Sequence, residues 1–404
     1  MFQHLQIYDR RERVLVGLAD IVLAPALAPL RLLGRRPVRA PRRILLLRLE
    51  RIGDLLMTRH AIAAVRHAAP EATIRLVVGS WNEAIARLLP VDQVETLDAP
   101  WLARDSDALA TPGGSANTGG RGALLIRALR WRRERYDLAI NFEGDVRSNV
   151  LLALSGARRR VGFDMAGGGA ALTDIVAFDP TIATSRNALR LVERAFDRGG
   201  LAEASDSLLP LPIAAEARAE DLLAHASRAV GIHVSGGRAI KQWDVERYAE
   251  TASRLAALGA TIVLTGSTAD RSLVDRLQSM LPSSVRLIDL AGRIDLVTLA
   301  AVLKRLDLLI TGDTGPMHLA AAVGTAVVAI FGPSDPRRYA PAGPRVAVVR
   351  VDLACSPCNR IRLPPARCAG HTPDCLVGVP VEAVLAAARA MLREPSIGSD
   401  AANG

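Results

Sequence analysis

Leu308-Leu-Ile-Thr-Gly-Asp-Thr-Gly-Pro-Met-His-Leu-Ala-Ala-Ala322, followed by Ala326-Val-Val-Ala-Ile-Phe-Gly-Pro333, is the stretch from which the fold can be read. The apolar run reaching Ile310 predicts a buried strand, Asp313-Thr-Gly315 a tight turn, and Pro316 to Val323 a helix. A second apolar strand closes at Phe331-Gly-Pro333. In a parallel α/β sheet, ligands bind at the carboxyl ends of the strands, where a helix N-terminus presents free N–H groups and a positive dipole end. A diphosphate fits there, with the Thr314 hydroxyl and the Gly315 amide as donors. The same residues also read as a plain strand–turn–helix with Asp313 as N-cap. The local pattern leaves both open.

Outward from this stretch, strands and helices alternate, the mark of a parallel sheet covered on both faces. Strands are expected at Ile44–Leu49, Thr73–Val78, Val94–Leu97, Tyr136–Phe142, Arg160–Phe163 and Asp174–Phe178. Helices are expected at about Asp54–His67, Trp81–Leu89, Val146–Leu154 and Thr184–Arg198. Asp105–Gly122, with Pro112-Gly-Gly and Thr118-Gly-Gly, reads as a loop. Leu208-Leu-Pro-Leu-Pro212 closes this half. The pattern restarts with strands at Val230–Val234, Thr261–Thr265 and Arg286–Asp289, then the organising stretch and a last strand at Arg345–Val351. The expected divisions are a 1–41 extension, domains 42–212 and 213–394, and a 395–404 tail. Two α/β halves of similar size imply a cleft between them, and binding sites favour domain interfaces.

Half of the 404 residues are apolar, so a packed core is available, while aromatics are only 3%, too few for a base-stacking nucleic-acid platform. The net charge of +10 is carried mainly by arginine. One cluster comprises Arg31, Arg35, Arg36, Arg39, Arg42, Arg43, Arg48 and Arg51; a second comprises Arg127, Arg130, Arg132, Arg133 and Arg135. With no nucleic-acid motif, an anionic membrane or an acidic substrate is the expected partner. Val14–Leu30 is apolar but broken by Asp20, Pro25 and Pro29, and is short of the ~20 apolar residues that a spanning helix needs. It reads as an interfacial anchor or as a helix capping the first domain. The cysteines fall only at 355, 358, 368 and 375, which suits a reducing cytoplasm better than a stapled secreted fold. Cys355-Ser-Pro-Cys358 has zinc-ligand spacing and Cys368…Cys375 does not, so a structural zinc and free thiols both stand.

Two further motifs carry chemistry. In Leu47-Arg-Leu-Glu-Arg-Ile-Gly-Asp-Leu55 the first strand gives way to a helix at Gly53-Asp54. A carboxylate at that helix start can accept a proton from an attacking hydroxyl, although the dipole lowers its basicity and an N-cap aspartate is common. In His233-Val-Ser-Gly-Gly-Arg-Ala-Ile-Lys-Gln-Trp243, Ser235, the glycine amides and Lys241 can hold phosphate oxygens. Thr265-Gly-Ser-Thr268 and Ala291-Gly-Arg-Ile294 line the same sheet edge. There is no G-x-G-x-x-G after a strand and no G-x-S-x-G elbow, which removes the main support for nicotinamide binding or a hydrolase. Asp105-Ser-Asp107 matches a metal-binding D-x-D by chance in a loop.

Together these pieces resemble glycosyltransferase family 9, the ADP-heptose:lipopolysaccharide heptosyltransferases. The likeness is carried by Arg48-Leu-Glu-Arg-Ile-Gly-Asp54, Tyr136-Asp-Leu-Ala-Ile-Asn-Phe-Glu-Gly144 with Arg147-Ser148, and Lys241-Gln-Trp243. Gly312-Asp-Thr-Gly-Pro-Met-His-Leu-Ala-Ala-Ala322, Phe331-Gly-Pro333 and Cys355-Ser-Pro-Cys358 complete it. It runs from about Arg42 to Leu392. The resemblance implies a GT-B fold, two Rossmann-like doubly wound domains facing a central cleft, with the acceptor on the first and the nucleotide-sugar on the second. It implies inverting, metal-independent transfer without a cofactor, Asp54 as general base and Lys241 stabilising the departing diphosphate. Donor contacts fall on Ser235, Thr268, Ile294, Asp313, Thr314, Gly315 and His318, with Thr268 in place of a commoner acidic residue. Acceptor contacts fall on Arg51, Gly53, Asn141 and Arg147, and Glu50-Arg51 replaces the usual small residues. The donor is expected to be ADP-heptose. The partners are a lipid-linked anionic glycan and the membrane surface, not nucleic acid. A monomer, cytoplasmic and peripheral on the inner membrane, completes the expectation. The competing readings are a GT-B nucleotide-sugar epimerase, which needs no acceptor, and a non-catalytic nucleotide-binding membrane protein.

Overall fold

The computed structural model describes residues 2, 5–7, 9–33, 40–99, 101–102, 121–201, 208–341 and 343–393. Asp105–Asp107, most of the Gly/Pro-rich loop and the 395–404 tail lie outside them. The chain forms two compact units, Met1–Ser207 and Leu208–Gly404.

The first unit holds strands β1 (Arg43–Arg48), β2 (Thr73–Val78), β3 (Gln93–Thr96), β4 (Leu138–Asn141), β5 (Arg159–Gly162) and β6 (Asp174–Ile175). Its helices are α1 (Arg10–Leu33), α2 (Ile52–Ala68), α3 (Glu83–Ala86), α4 (Arg121–Trp131), α5 (Val146–Leu154) and α6 (Thr184–Phe196). The second unit holds β7 (Ala229–His233), β8 (Thr261–Thr265), β9 (Leu287–Asp289), β10 (Leu308–Gly312), β11 (Val327–Ile330) and β12 (Val346–Val349). Its helices are α7 (Ile213–Leu223), α8 (Val245–Ala256), α9 (Arg271–Ser279), α10 (Leu296–Arg305), α11 (Gly315–Ala322), α12 (Pro336–Tyr339), α13 (Asp374–Val377) and α14 (Val381–Arg393).

Both sheets are parallel throughout, ordered β3-β2-β1-β4-β5-β6 and β12-β11-β10-β7-β8-β9. In each, the connections run one way from the first strand and then reverse, so a switch point opens between β1 and β4 and another between β7 and β10. The central strands β7, β8, β10 and β11 are buried at every residue. That is why they read as unbroken apolar runs rather than alternating ones. The edge strands β3 and β9 are only partly buried and correspondingly weaker in the sequence. Helices cover the faces; α8, for example, turns Val245, Tyr248, Ala249, Ala252 and Leu255 inward at helical spacing.

Three expectations shift. The boundary falls before Leu208 rather than after Pro212, because the Leu209 N–H donates to the Ala322 carbonyl (2.8 Å) and Leu208 packs over Gly324. The helix expected at Trp81–Leu89 is only a short 3₁₀ turn plus α3. The extension is not a separate piece: α1 runs through Pro25 and Pro29 and packs on the Gly169–Ala171 turn and on α5. Asp20 Oδ1 accepts from the Gly168 N–H at 2.6 Å. No described helix is long and apolar enough to cross a membrane.

Candidate active site

The β7/β10 switch point gathers the second unit's conspicuous polar residues. Lys241, on the loop after β7, donates to the Asp313 carbonyl and pairs with its carboxylate at 3.1 Å. Burial alone pushes Asp313 up, but Lys241, the Ser334 hydroxyl and nearby His318 together hold it below the usual carboxylate range. Thr314 is the N-cap of α11, yet its hydroxyl meets Thr311 Oγ1 (3.0 Å) and makes no bond to the helix amides. The Gly315 and Met317 N–H groups therefore donate no bond to the Thr314 side chain, and Pro316 between them has none to offer. His318 is buried in the same helix. The structure thus brings Lys241, Asp313, Thr314, Gly315 and His318 into one place.

The Lys-Gln-Trp run explains why Lys241 stays there. Gln242 Oε1 accepts from the Gly236 N–H (2.7 Å), while its amide donates to Val234 (2.6 Å) and Trp243 (2.8 Å) carbonyls. Trp243 is buried edge-on to Tyr248, with ring centroids 4.8 Å apart. At Gly236 a Cβ would lie 2.6 Å from the Lys241 backbone. Gly236→Ala is therefore expected to push the lysine loop off the strand end and, if the diphosphate that the sequence pattern predicts binds here, to weaken the binding of a nucleoside diphosphate by about tenfold, the loss of one charge-assisted hydrogen bond, with little change in fold, measurable by calorimetric titration and far-UV circular dichroism. Unaltered affinity would contradict the close-approach argument.

Ser235 faces another group. Asp270 accepts from the Ser267 amide (2.8 Å) and hydroxyl (2.7 Å) and from the Ser235 hydroxyl. Burial pushes Asp270 up, but those hydrogen bonds outweigh it and hold the carboxyl low. Asp270 escaped the sequence reading, although an acid two residues after Thr268, where an acidic residue is expected, was a usable signal. His233 beneath it is fully enclosed, kept neutral by burial, with Nδ1 3.2 Å from Thr265 Oγ1. Thr268 is exposed and packs on Gly292, and Ile294 is half-buried. A cavity of about 630 Å³ on this side is lined by Thr268, Arg271, Asp289, Gly292 and Arg293 among others, and by neither Lys241 nor Asp313. Arg271 pairs with Asp289 at 2.9 Å there.

At the β1/β4 switch point of the first unit, α2 starts at Ile52 with Arg51 as N-cap, earlier than the sequence suggests. Asp54 is consequently the third helical residue, not the cap. Its Oδ2 accepts from the Arg51 N–H at 3.2 Å and its Oδ1 lies 3.3 Å from Arg48. The buried Arg48 guanidinium also reaches Glu143 at 3.5 Å and Glu50 at 3.8 Å. Glu143, part of the Tyr136–Gly144 motif but given no role there, accepts from the Leu49 and Glu50 amides. Its complete burial, reinforced by Glu50 and Asp145 and opposed by Arg48, pushes its carboxyl up to about 8. From the ordinary 4.5 to about 8 the folded chain thus holds a proton that the unfolded chain releases, so this group's stabilisation is full below 4.5 and is lost as pH rises through 8. Glu143→Gln is expected to gain melting temperature on the wild type as pH rises from 5 to 8 and to keep a level lead above that. A constant gap across a thermal-denaturation series would place an ionised Glu143 against Arg48 throughout.

Asn141 corrects an expectation. It is fully buried, donates to Ser148 Oγ (3.0 Å) and Asn149 Oδ1 (2.7 Å), and accepts from the Glu143 N–H (3.1 Å). It shapes the turn after β4 and offers no surface to an acceptor. Arg51 and Arg147 do lie at the strand ends, each stacked 4.6 Å from an indole, Trp81 and Trp101 respectively. Arg51 Nη2 also donates to the Leu102 carbonyl at 2.5 Å, tying the two stacks together. Neither tryptophan was singled out from sequence, since only the fold carries residues 81 and 101 to Arg51 and Arg147.

All four cysteines are free thiols, and burial pushes Cys375 up to about 11. Among the described residues no three His, Cys, Asp or Glu side chains are grouped to hold a metal ion. The Cys355–Cys358 segment instead braces the end of β11: Ser356 Oγ donates to Gly332 (2.7 Å) and the Asn359 N–H to Pro333 (2.8 Å).

Residues 124–365 match the family model of glycosyltransferase family 9 (heptosyltransferase). Lipopolysaccharide heptosyltransferase 2 of Escherichia coli K12 is 24% identical over 317 residues, covering 74% of this chain and 85% of that protein. Local matches to lipooligosaccharide heptosyltransferase 2 of Haemophilus influenzae and of Campylobacter jejuni span 33% and 40% of those proteins' lengths. The glycosyl transferase family 9 structure from Veillonella parvula superposes with a TM-score of 0.73 at 22% identity, covering 87% of this chain and 97% of that one. The E. coli ADP-heptose lps heptosyltransferase II structure gives 0.68 at 20%, covering 87% and 98%. These likenesses extend to the fold of both units, the GT-B architecture.

Proposed function

We propose, from the premise that this chain belongs to glycosyltransferase family 9, that it transfers a heptose from ADP-heptose to a hydroxyl of an anionic, lipid-linked envelope glycan, the lipopolysaccharide core. The observation that carries this reading is the Lys241–Asp313 pair at the mouth of α11, where a cation and helix amides converge at a switch point. A diphosphate leaving group needs that combination. The donor is named after the E. coli relative, an ADP-heptose lps heptosyltransferase.

In the proposed reaction an acceptor oxygen attacks the anomeric carbon from the face opposite the diphosphate. The new C–O bond forms as the bond to the phosphate oxygen breaks, its electron pair leaves with ADP, and the configuration inverts. Asp54 takes the hydroxyl proton, with Arg48 and the Arg51 amide fixing the carboxylate. Lys241 and the α11 amides take up the charge gathering on ADP, so no metal is required. Ser235, Asp270 and the Thr268 side hold the rest of the donor. For the acceptor, the Arg51/Trp81 and Arg147/Trp101 stacks offer apolar rings beside cations, suited to sugars bearing carboxylates or phosphates. The enzyme would act as a monomer at the cytoplasmic face of the inner membrane.

The test is to incubate the full chain with ADP- and UDP-sugars and a lipopolysaccharide-core acceptor, with and without EDTA, following sugar incorporation and ADP release. Transfer from ADP-heptose that survives EDTA is the expected result. Loss of activity in EDTA would overturn the metal-free mechanism, and isomerisation of the donor without acceptor would overturn transfer itself.

A further inference from the structure

We propose that the outward face of α1 is a lipid-docking surface that lays the first unit on an anionic bilayer. The inference rests on the membrane-facing transferase reading above and gives it a physical surface. The helix is amphipathic in the opposite sense to an ordinary covering helix. Its inner face carries the anchoring contacts: Asp20 accepts from the Gly168 amide, Val16 packs against Gly167, and Gly17 receives the Phe2 ring. Its outer face carries the large apolar side chains, with Leu15 67%, Leu18 46%, Ile21 58% and Val22 72% exposed. Positions 15, 18 and 22 recur at the three- and four-residue spacing of a single helix face, and exposed Ala26 and Pro29 extend the line. Four large apolar side chains held in water along one stripe mark an interaction surface, not chance exposure.

Charge identifies what covers it. Exposed Arg10 and Arg11 and half-buried Arg13 head the helix, against Asp9 and Glu12 in the same turn. Beyond its other end the sequence adds Arg35, Arg36, Arg39, Arg42 and Arg43. A second helix of the same unit repeats the composition: on α4, Leu125 (46%), Ile126 (55%) and Leu129 (46%) are exposed, and exposed Arg130, Arg132 and Arg133 follow. Both helices pack on α5. A second copy of the chain would cover the apolar stripe only by bringing two sets of arginines together. A bilayer with anionic headgroups accommodates the apolar side chains in its interface and the arginines among its phosphates. Because no described helix can cross a membrane, α1 lies in the interface rather than spanning it.

Flotation of the full-length protein with phosphatidylcholine vesicles, with and without 30 mol% phosphatidylglycerol (about a physiological anionic content), tests this. The wild type is expected to partition onto the anionic vesicles at least about tenfold better than onto the neutral ones. The triple variant Leu15→Glu/Leu18→Glu/Val22→Glu, altered only at exposed positions, should lose about tenfold or more of that binding. Its circular dichroism and its turnover of a lipid-free soluble acceptor should stay unchanged. Arg10→Gln/Arg11→Gln should reduce the preference for anionic vesicles and spare the fold. Equal vesicle binding by wild type and triple variant would overturn the proposal, as would a wild type that binds neither vesicle. A wild-type dimer that the triple variant converts to monomer, without any change in flotation, would assign the stripe to self-association instead. Vesicle binding as expected with no turnover of any ADP-sugar would support the surface and sink the transferase reading alone.

Discussion

Lys241→Ala lowers the rate constant for sugar transfer by about 10²–10³, the usual cost of removing one preorganised donor from a developing negative charge. The ammonium sits where the strand order reverses and beside the amides of α11, so its contribution grows as the sugar–phosphate bond breaks. KM for the donor should change far less than kcat. The same substitution strands Asp313, whose side chain is only 13% exposed, without its cation. Stability should therefore fall by about 2–3 kcal/mol, the low end for breaking a buried pair because both side chains keep some water. Adding Asp313→Asn to Lys241→Ala should restore the melting temperature and leave transfer slow. Single-turnover kinetics and thermal denaturation on the two variants separate the effects. Transfer within threefold of wild type in Lys241→Ala would remove the lysine from the reaction.

Asp54→Asn lowers kcat by about 10²–10⁴, the range for loss of a positioned general base. Asparagine retains an oxygen for the Arg51 amide, so the start of α2 should hold, and only the charge opposite Arg48 disappears. ADP affinity should be unaffected, since Asp54 and the residues proposed to grip the diphosphate belong to different units. Calorimetry with ADP and single-turnover transfer rates check both statements; a variant retaining more than a tenth of wild-type turnover would reassign the base.

Much of this architecture was readable before any coordinates. The runs at Val230–Val234, Thr261–Thr265 and Leu308–Ile310 are apolar at nearly every position because central parallel strands are buried on both faces. The Asp-Thr-Gly turn and the Lys-Gln-Trp run were visible because tight turns and helix starts admit few residue types. Asn141 misled for a physical reason: a conspicuous polar residue at a strand end serves equally to meet a ligand or to satisfy its own turn, and only the partners Ser148, Asn149 and Glu143 distinguish the two. Glu143 and Asp270 were missed because an acid in a loop is ordinary until its neighbours are known. The stripe on α1 was half visible, as an apolar segment flanked by arginines; which face turned outward depended on where Asp20 found its amide.

By itself the sequence determined two doubly wound parallel sheets and the loops that carry their chemistry, since burial on both faces and turn geometry leave a direct imprint on residue type. The tertiary structure alone decided which of those loop residues meet. The pairing of Lys241 with Asp313, the meeting of Glu143 with Arg48 and the indoles under Arg51 and Arg147 join residues distant in the chain, and such meetings follow from strand order, which no local pattern encodes.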